Sequence, residues 1–182
     1  GASGVELTEK DWPLLVASLT AACEPLAIGI VRGGEGATKL ITVRVTGAAS
    51  NDDARRTARA IANSLLVKTA VHGGDPNWGR LVAVAGRAGS AFTLEKAVVK
   101  IGPITLFADG TPYDDRAPEA AEYLQGKEID LEVDLGTGGQ GQSRMWTEAC
   151  SGPAPARKAA RNRASGPSSA QAPSGSPSRR RL

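Results

Sequence analysis

Apolar residues recur at helical spacing near the start of the chain. Trp12, Leu15, Val16, Leu19, Cys23, Leu26 and Ile30 fall on one stripe. Thr8 reads as an N-cap, with Asp11 in a capping-box-like position. Pro25 interrupts the stripe and should kink or split the helix, since proline lacks an amide hydrogen and crowds the preceding turn. Gly33-Gly34-Glu35-Gly36 ends it. The period then changes to two: Ile41, Val43 and Val45 share one face of a strand over 39–46. Ser50 with Asp53 opens a second helix over 52–67, with Ala54, Ala58, Ile61, Ala62 and Leu65 on one side and Arg55, Arg56 and Arg59 on the other. Residues 98–101, 104–108, 129–135 and 143–147 read as strands. Gly102-Pro103 and Asp109-Gly110 mark turns, and residues 118–124 a short helix. The pattern predicts an α+β domain with a mixed sheet and packed helices.

Composition divides the chain at about residue 148. Residues 149–182 are Ala, Ser, Pro, Gly and Arg, with seven basic residues and no acidic ones. Such a segment cannot bury enough apolar surface to offset its ordering entropy, so disorder is expected there. Residues 1–148 hold 15 basic against 19 acidic residues, a net of −4, although the whole chain carries +3. The basic pI therefore belongs to the tail, and the body gives no support for a nucleic-acid partner. Cys23 and Cys150 are the only cysteines, so no disulfide framework is indicated and a cytoplasmic setting fits. No apolar stretch reads as long as the ~20 residues a membrane crossing needs, so no membrane partner is expected.

Three constellations bear on chemistry. Gly33-Gly34-Glu35-Gly36-Ala37-Thr38-Lys39 superficially suggests a phosphate loop, but Thr38, not glycine, precedes the lysine and Leu40 follows it. What remains is a carboxylate between glycines, either a ligand contact or a solvated turn. Gly136-Thr137-Gly138-Gly139-Gln140-Gly141 has the glycine spacing of a dinucleotide loop, yet a strand follows it and the downstream acidic residue is missing. His72 is the only histidine and has no ligand set around it, so no metal site is expected and it reads as a titratable loop residue. The loop Gly73-Gly74-Asp75-Pro76-Asn77-Trp78-Gly79-Arg80 is the most unusual string. Locally it reads equally as a tight turn, with Arg80 satisfying carbonyls or pairing with Asp75, and as part of a site.

The strings N-S-L-L-V-K-T-A-V-H-G-G-D-P-N-W-G-R (63–80) and R-G-G-E-G-A-T-K-L-I-T-V (32–43) resemble the ornithine acetyltransferase family of arginine biosynthesis, also called bifunctional glutamate N-acetyltransferases. D-G-T-P (109–112) and D-L-G-T-G (134–138) continue the likeness, which covers roughly residues 1–147. The resemblance implies the β-chain part of a self-processing, N-terminal-nucleophile-like fold. It implies acetyl transfer from N-acetylornithine to glutamate through a threonine freed by self-cleavage, with that residue's own amine as base. Acetyl-CoA serves some members as donor, and neither cofactor nor metal is needed. The partner implied is the α chain of the same precursor, in a heterotetramer. Residue by residue, Glu35 matches the substrate-contacting glutamate, while Lys68, Asp75, Asn77 and Arg80 match positions that shape the site.

Two departures qualify the likeness. Gly1 lies downstream of the self-cleavage threonine, so catalysis by this chain alone is not expected. After Met145-Trp146-Thr147 the family runs into a Cys-Asp-containing strand, whereas here Glu148-Ala149-Cys150 and the Pro/Arg/Ser tail follow. That composition is what a GC-rich gene gives out of frame, and a frame shift near Thr147 is the expectation. Two other readings stand beside this one. The chain could be a non-catalytic remnant whose basic tail binds acidic partners, or a fragment that does not fold stably.

Overall fold

The computed structural model describes residue 4 and residues 6–150; the tail expected to be disordered lies outside them, apart from Ala149 and Cys150. In chain order the elements are α1 (Trp12–Arg32), β1 (Ala37–Ala48), α2 (Asn51–Ala62), α3 (Leu65–Gly73), α4 (Trp78–Gly86), β2 (Val98–Ile101), β3 (Ile104–Ala108), β4 (Thr111–Pro112), α5 (Ala117–Tyr123), β5 (Glu128–Asp134) and β6 (Gly141–Cys150). The six strands form one mixed sheet in the order β4-β3-β2-β5-β1-β6. Only β1 and β5 run parallel.

Alternation along the strands sorts the two faces. Ile41, Val43 and Val45 of β1 point with Ile129, Leu131 and Val133 of β5 into the core. There they meet Ala54, Ala58 and Ile61 of α2, Val67 and Val71 of α3, and Leu81 and Val84 of α4. The opposite face carries Thr42, Arg44, Glu132, Lys100 and Arg144. Arg44 pairs with Asp130 at 3.5 Å and Lys100 with Glu132 at 3.0 Å. One apolar and one charged face is the expected outcome of a period-two pattern in a sheet covered on one side. Thr57 of α2 is fully buried and its Oγ1 has no partner. Thr57→Val, which keeps the shape and removes the orphan hydroxyl, is expected to raise the unfolding free energy by about 1 kcal/mol in urea titration.

The sequence pattern missed in four places. The helix expected over 52–67 is two helices, because the Ser64 hydroxyl accepts from the Val67 amide and starts α3 afresh. The expected loop 73–80 is half helix, because the Asn77 side chain accepts from the Arg80 amide and nucleates α4. Helix α1 starts at Trp12 rather than after Thr8; Thr8 instead donates its amide and hydroxyl to the Asp11 carboxylate. Pro25 lies inside α1 without splitting it. The carbonyl it leaves without a partner belongs to Ala21, which is exposed. As one 21-residue helix with a mean hydropathy of 2.0 over its most apolar window, α1 is long and apolar enough to cross a membrane, contrary to the expectation. Glu24 on the same helix is ion-paired with Arg144 of β6 at 2.6 Å. Strand β6 also runs through Cys150, with Ala149 in the core, so folded structure passes the compositional boundary by two residues.

Candidate active site

The turn that carries Glu35 is set by hydrogen bonding and one glycine. Gly34 N donates to Val31 O at the end of α1, and Ala37 N closes a four-residue turn onto Gly34 O at 3.0 Å. Gly36 holds φ at +76°, which the third position of such a turn demands and side chains resist. Glu35 therefore sits at the tip, exposed, and takes no hydrogen bond or ion pair among the described residues. Gly34 is packed closely: a methyl there would lie 3.2 Å from Val31 O and 3.8 Å from Glu148 Cγ.

Three side chains fasten the strand after the turn to its surroundings. Lys39 Nζ donates to Val71 O near the end of α3, at 3.0 Å, and to Leu124 O just past α5. Burial pushes the Lys39 amine below its ordinary value of 10.5. Thr38 Oγ1 donates to Ala149 O at 2.9 Å and lies 3.1 Å from His72 Nδ1. A hydroxyl has one proton and a carbonyl only accepts, so His72 Nδ1 is the donor of that second bond. His72 is thus in the last turn of α3 rather than in a loop. Lys68 of the same helix pairs with Glu148 at 3.1 Å, with both side chains largely covered. Since Glu148 also lies against Gly34, the pair abuts the Glu35 turn. A cleft of about 360 Å³ opens alongside, lined by Arg32, Ala37, Thr38, Lys39, Leu40, Lys127 and Glu128.

The residues singled out by sequence fall into two groups. Glu35 and Lys68 come together through Gly34 and Glu148. Asp75, Asn77 and Arg80 instead bond to one another and to α3. Arg80 pairs with Asp75 at 3.5 Å and donates to Leu66 O at 2.7 Å and Thr69 Oγ1 at 3.3 Å. Asn77 Nδ2 donates to Asp75 Oδ2. Trp78 stacks on Phe107 with ring centroids 4.8 Å apart and donates to Asp114. Both bland functions of Arg80, satisfying carbonyls and pairing with Asp75, occur together. Thr38, Lys39 and Glu148 had no local signal, because their partners lie 32 to 111 residues away. Among the described residues no cluster of His, Cys, Asp and Glu is placed to hold a metal.

The sequence profile of the ArgJ family matches residues 1–151. The chain belongs to the ArgJ family. It is 47% identical over 141 residues to the arginine biosynthesis bifunctional protein ArgJ of Zymomonas mobilis, covering 76% of this chain and 34% of that protein. It is 43% identical over 142 residues to the Bacillus subtilis protein of the same name, covering 77% and 35%. The crystal structure of the Bacillus halodurans protein superposes with a TM-score of 0.75 at 39% identity, covering 81% of this chain and 70% of that one. The α+β fold and the family expected from the strings at 32–43 and 63–80 are those found. The chain spans about a third of the length of the curated relatives it matches.

Proposed function

We propose that this ArgJ-family chain forms the substrate-recognising side of an enzyme that moves an acetyl group from N-acetylornithine to glutamate. The observation that carries the proposal is the contrast in pairing. Lys68, Asp75, Asn77 and Arg80 are committed to internal bonds, whereas the Glu35 carboxylate is free at the tip of a tight turn. A free carboxylate beside closely approachable backbone suits an alkylammonium such as that of ornithine. In this reading Lys68 braces the turn through Glu148, and Asp75, Asn77 and Arg80 hold the α3–α4 corner.

The acetyl group travels through an ester on an N-terminal threonine. The threonine hydroxyl attacks the amide carbonyl of N-acetylornithine and its own amine takes the proton. Ornithine leaves with that proton, and the glutamate amine then attacks the ester. We assign the threonine to a part of the family polypeptide outside the matched segment. That part, with the α chain, would complete a cytoplasmic heterotetramer. Acetyl-CoA is an alternative donor, and no cofactor is required.

Two results are expected. Acetyl transfer from N-acetylornithine to glutamate by the purified 182-residue chain stays at the buffer blank. Transfer proportional to chain concentration would contradict the placement of the nucleophile. Glu35→Gln raises the Kd for ornithine about 10- to 100-fold by calorimetry, the equivalent of one charge-assisted hydrogen bond. An unchanged Kd would remove Glu35 from the site.

A further inference from the structure

The apolar stripe of α1 faces away from the rest of the fold. Its sheet-facing side is formed by the half-covered Glu24, Ala27, Ile28 and Val31, whereas α1 has no buried residue. On the stripe, Trp12 is 53% exposed, Leu19 55%, Leu26 69% and Ile30 78%. The helix is about 31 Å long at 1.5 Å per residue, so this is a continuous apolar seam.

The seam has a specific grammar. Trp12, Val16, Leu19, Cys23, Leu26 and Ile30 are separated by four, three, four, three and four residues. That is a heptad repeat in which Val16, Cys23 and Ile30 hold the a positions and Trp12, Leu19 and Leu26 the d positions. A β-branched a with leucine at d is the combination that favours two parallel strands. The flanking positions Thr20, Ala22, Ala27 and Gly29 are small and uncharged, so a second helix can approach closely. Pro25 falls off the seam. The helix's two charges, Glu24 and Arg32, are engaged by Arg144 and Glu128.

We infer that the seam is a self-association surface, on which α1 of a second copy packs in parallel about a two-fold axis. Val16, Leu19, Leu26 and Ile30 then meet their own symmetry mates. Cys23 meets Cys23 of the partner subunit at the central a layer, both thiols being free in the single chain.

The full 182-residue chain should sediment at twice its 18.7 kDa mass. Leu19→Glu combined with Ile30→Glu should give the monomer mass with an unchanged circular dichroism spectrum, because both positions are exposed and contribute nothing to the core. In a Cys150→Ser background, mild oxidation should link two chains through Cys23, and the double glutamate variant should lose that link. A chain that stays monomeric at hundreds of micromolar overturns the inference, as does a dimer that survives the double variant. So does a dimer without the Cys23 link, which means another orientation. A monomer that binds phosphatidylcholine vesicles through α1 overturns it in favour of a lipid surface. Undefined aggregation that the double variant does not relieve also overturns it.

Discussion

Gly139→Ala is expected to destabilise the fold by about 3 kcal/mol or more in urea titration. A methyl at this position would overlap the Ala48 carbonyl oxygen. It would also lie 2.8 Å from the Ala48 carbonyl carbon and 2.9 Å from Ala49 Cα. These are backbone atoms at the exit of β1, and they cannot turn aside as a side chain can. The loop is tied to this exit by Thr137, whose hydroxyl and amide both donate to Gly47 O. The neighbouring Gly138 is the control. Its φ of +77° makes alanine strained there, but a methyl would meet open space. Gly138→Ala should therefore lose only about 1 kcal/mol. Equal losses at the two positions would show that backbone conformation, not close approach, explains the glycine run.

Lys39→Met should cost about 2 to 4 kcal/mol. The substitution keeps most of the apolar stem but leaves Val71 O and Leu124 O without their donor, and each orphaned acceptor costs about 1–3 kcal/mol. Thermal unfolding measures the loss. Hydrogen exchange should localise it to the last turn of α3 and the end of α5. The sign of the pH dependence also follows. Burial lowers the folded-state value of the Lys39 amine, so the unfolded chain holds that proton more tightly. The burial cost is fully present while both states are charged, and is relieved as the pH rises through the window just below 10.5. The stability gap between wild type and Lys39→Met should thus widen, not narrow, as that window is entered.

What the sequence revealed depended on how far apart the interacting residues are. The alternation of Ile41, Val43 and Val45 identified β1, because each residue's burial follows from its neighbours two positions away. The stripe on α1 was equally visible, but its direction was not. A helical period says that one side is apolar, not which side the sheet covers. Ser64 hid the break between α2 and α3, since one capping hydroxyl does not disturb the apolar spacing around it. The run Gly136–Gly141 imitated a dinucleotide loop because close backbone approach selects glycine whatever approaches. Here it is the chain at Ala48–Ser50 that comes near Gly139 and Gly141. At the site, the Asp75–Arg80 pair was anticipated because its partners are five residues apart. The bonds from Thr38, Lys39 and Lys68 required the folded sheet to bring β6, α3 and α5 together. Glu35 was legible only through the family strings, since a carboxylate in a glycine turn has no further local signature.

The central claim is that the free carboxylate of Glu35 recognises the cationic amine of the substrate. Nuclear magnetic resonance titration of the isotopically labelled chain with N-acetylornithine tests it most directly. The account predicts saturable shifts centred on the amides of Gly33, Gly34, Gly36 and Thr38. These should vanish in Glu35→Gln while the resonances of β1 and β5 stay in place. Shifts centred on the Asp75–Arg80 corner instead, or shifts of equal size in Glu35→Gln, would contradict it.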